Sequence, residues 1–193
     1  MIILGIDPGT AATGYGVITG DSPTRVQLVE CGVIRTRARD PLPQRLRELH
    51  EGVAELIAKH RPDVLACEDV FYAKNVRTTV VLGHARGVIL LAGAQRGLAI
   101  HEFPPAEIKK AVTGTGAATK EQVQFMLTRL LRLKSVPSPS DAADGVAAAL
   151  TYIMTARVRR LSEQQQSYPA AAVRAAAQAG TPLTPSVVRG SRS

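Results

Sequence analysis

The apolar positions of this chain recur at two periods, one of strands and one of helices. Ile2–Ile6 is a short apolar run that stops at Asp7-Pro-Gly-Thr10, so it predicts a strand ending in a tight turn. Tyr15–Ile18 and Val26–Ile34 resume strand-like patterning, and their spacing predicts an antiparallel meander. Beyond Pro41 and Pro43 the period changes. Leu46, Leu49, Val53, Leu56 and Ile57 fall on one face of a helix over Gln44–His60. Arg61-Pro-Asp63 breaks that helix, and Val64–Cys67 reads as a buried strand reaching Glu68. A second helix is predicted from about Val76 to Arg96. Its glycines at 83, 87 and 93 lower helix propensity and point to another backbone packed closely against them. Leu98–Phe103 gives a further strand, and Pro104-Pro105 opens a short helix over Ala106–Val112 that Gly114-Thr-Gly116 ends. Thr119 caps a helix to about Leu133, Lys134–Pro139 links, and Ser140 or Asp141 starts a last helix reaching about Arg160.

Three strands, a helix, a strand, a helix, a strand and then helices describe an α/β domain: a mixed sheet of about five strands flanked by helices. From Ser162 the apolar faces vanish into Ala-, Pro-, Ser- and Arg-rich sequence. The expected division is a folded domain over 1–161 and a largely disordered tail over 162–193. A length of 193 residues, 45% of them apolar and 21% charged, suits one globular domain with such a tail.

Charge narrows the partners. The chain carries net +8; the tail holds three arginines and one glutamate, so +6 belongs to the folded part. That balance points to a polyanion, nucleic acid before anionic membrane. Aromatic residues are only 4%, with no Trp, which argues against single-strand binding by extended base stacking. Gly145–Ala156, an uncharged stretch of the patterned region, is too short to span a membrane. The N-terminus has no basic segment and meets Asp7 too early for a signal peptide. Cys31 and Cys67 form no C-x-x-C and have no nearby His pair, so a zinc site or disulfide scaffold is unexpected. Both are expected in strands as small buried hydrophobes, in a cytoplasmic protein.

Four acids carry the candidate chemistry. Asp7 and Glu68 sit at predicted strand ends, and Asp141 and Asp144 share one face at the start of the last helix. Each has an ordinary explanation when taken singly. Asp7 caps a turn, Glu68 lies past a sheet edge, and acids are favoured in a first helical turn. Together they can converge on one side of an α/β sheet. Clustered carboxylates do not all stay ionised without cations, and hard oxygen donors select Mg²⁺ or Mn²⁺ over Zn²⁺. A pair of such ions about 4 Å apart cleaves phosphodiesters by in-line attack.

Basic residues surround these acids. Lys109, Lys110 and Lys120 flank the Gly114–Gly116 turn, and Lys74, Asn75 and Arg77 follow Glu68, with Phe71 and Tyr72 between. An exposed aromatic there could stack on or wedge between bases, although packing is the commoner role. Arg45, Arg47, Lys59 and Arg61 read as the solvated face of the first helix. Gly114–Lys120 lacks the Gly-Lys-Ser/Thr ending of a P-loop, the histidines at 50, 60, 84 and 101 show no ligand spacing, and no Gly-x-Ser-x-Gly is present.

Taken in order, several segments resemble the bacterial RuvC family of Holliday junction resolvases over about Met1–Ile153. They are Ile3-Leu-Gly-Ile-Asp-Pro-Gly-Thr10, Thr13-Gly-Tyr-Gly-Val17, Glu68-Asp-Val-Phe-Tyr-Ala-Lys-Asn75, Leu82-Gly-His-Ala-Arg-Gly87, Lys120-Glu-Gln-Val123 and Asp141-Ala-Ala-Asp144. The resemblance implies an RNase H-like fold, a homodimer, and paired nicking of four-way DNA junctions that leaves 5′-phosphate and 3′-hydroxyl ends. It places the metal ligands at Asp7, Glu68, Asp141 and Asp144, holding two ions. It places an aromatic for the junction core at Phe71 and functional lysines at Lys109 and Lys120. It also implies a branch-migration motor as a partner. Asp69 and Tyr72 depart from residues some relatives carry. Two rival readings are an actin-like nucleotide-binding enzyme, which would need a second phosphate loop and a longer chain, and a non-catalytic junction binder on the same fold. The helix bearing Gly83 and Gly87 is the expected dimer surface.

Overall fold

The N-terminal apolar run becomes β1 (Ile2–Asp7), the middle strand of a five-stranded mixed sheet. The middle position explains its composition, because Ile3, Leu4 and Ile6 are fully buried and divide between the two sheet faces. The structure, a computed structural model, describes residues 1–69 and 76–156. β2 (Ala12–Ser22) and β3 (Arg25–Arg35) continue from β1 as the expected antiparallel meander. β4 (Val64–Glu68) and β5 (Ala99–Phe103) add in parallel on the other side, giving the order β3-β2-β1-β4-β5. β1, β3, β4 and β5 therefore all end at one edge of the sheet, the edge where α/β sheets place their ligand sites.

Helices cover both faces. α1 (Leu42–His60) buries Leu49, Val53, Leu56 and Ile57, the stripe its periodicity predicts. With α2 (Val76–Gln95) it packs on Leu4, Ile6, Val17 and Leu65. The opposite face holds α3 (Pro105–Thr113), α4 (Lys120–Leu130) and α5 (140–156), packed on Ile3, Ile18, Ala66 and Phe103. Met1–Thr155 form one compact unit.

Several details depart from the sequence expectations. β2 has 11 residues, well beyond Tyr15–Ile18, because Gly14, Gly16 and Gly20 interrupt its apolar pattern without interrupting its pairing. α4 stops at Leu130, not near Leu133. Arg132 turns left-handed at φ 54°, its N–H reaches the Arg129 carbonyl and the Leu133 N–H reaches that of Thr128, a Schellman ending. No backbone approaches Gly83 or Gly87 among the described residues: a Cβ at either would meet nothing within 4 Å. Gly93 packs on side chains instead, those of Leu65 and Ile100. Cys67 is buried in β4 and Cys31 only partly so in β3; both are free thiols. No helix among the described residues is long and apolar enough to cross a membrane. The end of the predicted last helix and the predicted tail over 162–193 lie outside the described residues.

Candidate active site

Asp7 closes β1 and leads into a turn that is locked from inside. The Gly9 N–H donates to Thr13 Oγ1 at 3.2 Å, and that hydroxyl donates back to the Gly9 carbonyl. Thr13 is fully buried, and a Cβ on Gly9 would lie 1.9 Å from the Ala12 carbonyl oxygen, so only glycine closes this turn. The carboxylate thus leaves the sheet from a rigid base. β1 pairs with β4 as far as Ile6 opposite Cys67, which makes Asp7 and Glu68 the next rung. Alternation along each strand puts both carboxylates on the face covered by α3, α4 and α5.

Glycine sets the third acid in place. A Cβ on Gly5 would lie 2.2 Å from the Gly145 carbonyl oxygen, and one on Gly14 only 1.8 Å from that of Asp141. The backbone of α5 therefore rests almost directly on the backbones of β1 and β2, as Ala142, Ala143, Ala147, Ala148 and Ala149, each at most 1% exposed, allow. This contact holds the first turn of α5 at the sheet's carboxyl edge. Asp144 then shares with Asp7 and Glu68 a cleft of about 240 Å³, closed by Lys109, Lys120, Pro105, Ile108, Val123 and Ala147. Asp141 is not among the cleft's lining residues, and its charge acts on Asp7 and Asp144 from the side.

The electrostatics are those of crowded carboxylates. Burial, then the Asp144 charge, pushes Asp7 up to about 7, with Lys120 opposing. Burial, then the Asp7 charge, pushes Glu68 up to about 8, with Lys109 and Lys120 opposing. Burial raises Asp144 too, although Lys120 Nζ donates to its Oδ2 at 2.7 Å. A cation would relieve this cost, and an all-oxygen donor set suits a hard one. Among the described residues no three of His, Cys, Asp and Glu already stand as a metal-holding group. The residues fit a hard divalent ion in donor type, and closing round it takes side-chain rotation.

The predicted basic residues scatter more widely. Lys109 and Lys120 line the cleft, Lys110 is exposed on α3, and Arg77 is exposed in the first turn of α2. Phe71, Lys74 and Asn75 lie outside the described residues. A larger cleft of about 660 Å³ opens at the opposite edge, by the β2–β3 hairpin and Arg132, and Asp21 is its one lining acid. Size does not mark the chemistry here.

Residue reasoning missed one cluster beside the site. Asp69 and Glu102 point to the α1–α2 face, where Arg86 of α2 bridges both, at 3.2 Å from Asp69 and in contact with Glu102. The Asp69 N–H also bonds the Phe103 carbonyl at 2.9 Å, one step past the end of β4. Arg86 therefore clamps the ends of β4 and β5 from behind Glu68. The period-2 alternation of Glu68 and Asp69 was the available signal.

The comparisons with known proteins agree with this geometry. The family described as Crossover junction endodeoxyribonuclease RuvC matches residues 3–152. The Crossover junction endodeoxyribonuclease RuvC of Pelotomaculum thermopropionicum is 47% identical over 152 residues, covering 79% of this chain and 92% of that protein. That of Chromohalobacter salexigens is 48% identical over 160 residues, covering 83% and 84% respectively. Among solved structures, T. thermophilus RuvC in complex with Holliday junction substrate superposes with TM-score 0.78 at 33% identity, over 82% of this chain and 96% of that one. The yeast mitochondrial Holliday junction resolvase Ydc2, at 13% identity and TM-score 0.61, covers 86% of this chain and 85% of its own, and shares the fold. Five strands in this order, flanked by helices, with acids at their common carboxyl edge, are the RNase H-like arrangement the sequence implied, and the chain belongs to the RuvC family of crossover junction endodeoxyribonucleases.

Proposed function

We propose that the protein is an endodeoxyribonuclease that resolves four-way DNA junctions by paired nicks, with divalent ions held by Asp7, Glu68, Asp141 and Asp144. The observation that carries this reading is the convergence of Asp7, Glu68 and Asp144 on one cleft with Lys109 and Lys120 at its wall. A relative solved with Holliday junction substrate supports the substrate. Mg²⁺ or Mn²⁺, as two ions per site, would supply an activated water and charge stabilisation at the leaving oxygen. Asp7 anchors the set, because the Gly9–Thr13 lock fixes its origin. Lys120 holds Asp144 and tempers the negative charge on Asp7 and Glu68. Lys109 and Lys120 face where DNA phosphates would pass, which makes binding salt-sensitive.

The homodimer assigned to this reading has a surface to use. Val80, Leu91, Gly83 and Gly87 leave an open, partly apolar side of α2 among the described residues. Two-fold pairing there suits a two-fold junction. Phe71 is assigned the junction core, with Lys74, Asn75 and Arg77 near it. Phe71→Ala is expected to lose more activity on intact junctions than on pre-opened ones. A cytoplasmic location and a branch-migration motor as partner complete the reading.

The test is a denaturing-gel cleavage assay on a synthetic four-way junction against linear duplex. Paired nicks on the junction alone, lost with chelator and in Asp7→Asn, are expected. Tight binding without nicks under Mg²⁺ or Mn²⁺ would leave only a junction binder.

A further inference from the structure

The loop after β3 leaves the sheet at the same edge as Asp7 and Glu68. β3 pairs with β2 to its last residue, Arg35 opposite Ala12. The next residue is latched to the turn that follows Asp7. The Thr36 N–H donates to the Ala11 carbonyl at 3.1 Å, and its hydroxyl donates to the Thr10 carbonyl. Arg45 Nε donates in turn to the Thr36 hydroxyl at 3.2 Å. The segment Arg35-Thr-Arg-Ala-Arg39 is thereby fixed against the turn three residues beyond Asp7.

Its charge has no internal use. Arg35, Arg37 and Arg39 are exposed, and none forms an ion pair among the described residues. Five of the other basic side chains do pair: Arg25 with Asp21, Arg47 with Glu51, Lys59 with Glu30, Arg86 with Asp69, Lys120 with Asp144. The loop's own acid, Asp40, accepts from Gln44 Nε2 at 3.3 Å. Three unpaired guanidinium groups on one anchored loop repel one another, and a polyanion would relieve that repulsion.

The sheet gives the distance. β3 lies two strands from β1, about 10 Å across, and Arg35 stands two residues past Val33, which is level with Asp7 through Gly14; Arg35 is therefore about 12 Å from Asp7, and the arginines after it lie farther along the loop. Successive phosphates rise about 3.4 Å along the duplex axis but lie about 6–7 Å apart through space, so the span from Asp7 to the loop arginines covers about three nucleotides. Lys109 stands on α3, which follows β5 at the far end of the strand order from β3. We propose that the Arg35–Arg39 loop is a phosphate clamp, holding the DNA backbone about three nucleotides from the cleaved bond, on the side away from Lys109. This inference rests on the proposed nuclease function and adds a second grip to the same site.

The test compares wild type with Arg37→Gln/Arg39→Gln and with a control, Arg25→Gln/Arg96→Gln, which removes two charges at the opposite sheet edge. Affinity for a four-way junction is measured against salt in chelator, and nicking with Mg²⁺. The loop variant is expected to lose affinity about 10-fold or more at low salt, and its log–log salt slope to flatten by about 2, since each lost phosphate contact contributes about 0.9. The control slope is expected to stay within about half a unit of wild type. Neutral methylphosphonate linkages about three nucleotides from the nick should weaken wild type and leave the loop variant unchanged. Wild-type nicking together with an unaltered slope in the loop variant, or an equal loss in the control, overturns the clamp alone. Failure of wild type to nick the junction overturns the nuclease reading beneath it.

Discussion

Replacing Asp7 with asparagine should make the protein more stable and inactive at once. Folding raises the Asp7 carboxyl from 3.8 to about 7, mainly by burial. Between those values the folded chain holds a proton that the unfolded chain has released. Stability therefore falls as pH rises through this window and levels off above it. The span is about three pH units at about 1.4 kcal/mol each, which is about 4 kcal/mol of destabilisation at pH 8 as an upper figure. The amide side chain of the Asp7→Asn variant carries no charge, but its burial keeps part of the desolvation cost, so a gain of about 2 kcal/mol is expected. For a chain of this size that is roughly 4–8 °C in Tm. The assay is thermal unfolding of wild type and Asp7→Asn in chelator, at pH 8 and near pH 4. The variant should melt higher at pH 8, the gap should close at pH 4, and Mg²⁺ should stabilise wild type more than the variant. A variant melting at or below wild type at pH 8, with a gap that ignores pH, would refute the claim that Asp7 is held at a cost.

Other consequences are equally direct. Lys120→Met removes a charge that lowers Asp7 and Glu68, so the rising limb of the cleavage pH profile should move to higher pH; an unmoved limb excludes the coupling. Gly14→Ala puts a Cβ 1.8 Å from the Asp141 carbonyl oxygen, and the forced shift of α5 should cost about 1–3 kcal/mol in urea unfolding. A wild-type midpoint there would mean the helix does not rest on the strand. Arg86→Met leaves Asp69 and Glu102 facing each other unpaired; as all three are partly exposed, a loss of about 1–2 kcal/mol is expected, with recovery when both acids are made amides. No recovery in the triple variant would place the loss in packing rather than charge.

Local information sufficed for much of this molecule. The apolar run of Ile2–Ile6 already marks a buried strand, the stripe of α1 its buried face, and Thr119 the cap that starts α4. Asp7, Glu68 and Asp144 were legible because strand ends and first helical turns are local features, and their convergence follows from α/β topology. Tertiary structure decided the rest. Glu68 and Asp69 are neighbours in the chain, yet one enters the acid cleft and the other pairs with Arg86 behind the sheet. Gly14 and Gly16 hid a long strand in the sequence, while in the fold they admit the backbone of α5 and so bring Asp144 to Asp7. Gly83 and Gly87, read as points of close backbone approach, face open space among the described residues. Nothing in the local sequence singles out the arginines after β3; the tie from Thr36 to the Asp7 turn exists only in the fold. Periodicity and capping act within a few residues and are written in local sequence. Which face a strand turns inward, and which backbone a glycine admits, depend on segments far apart in the chain and exist only once they pack.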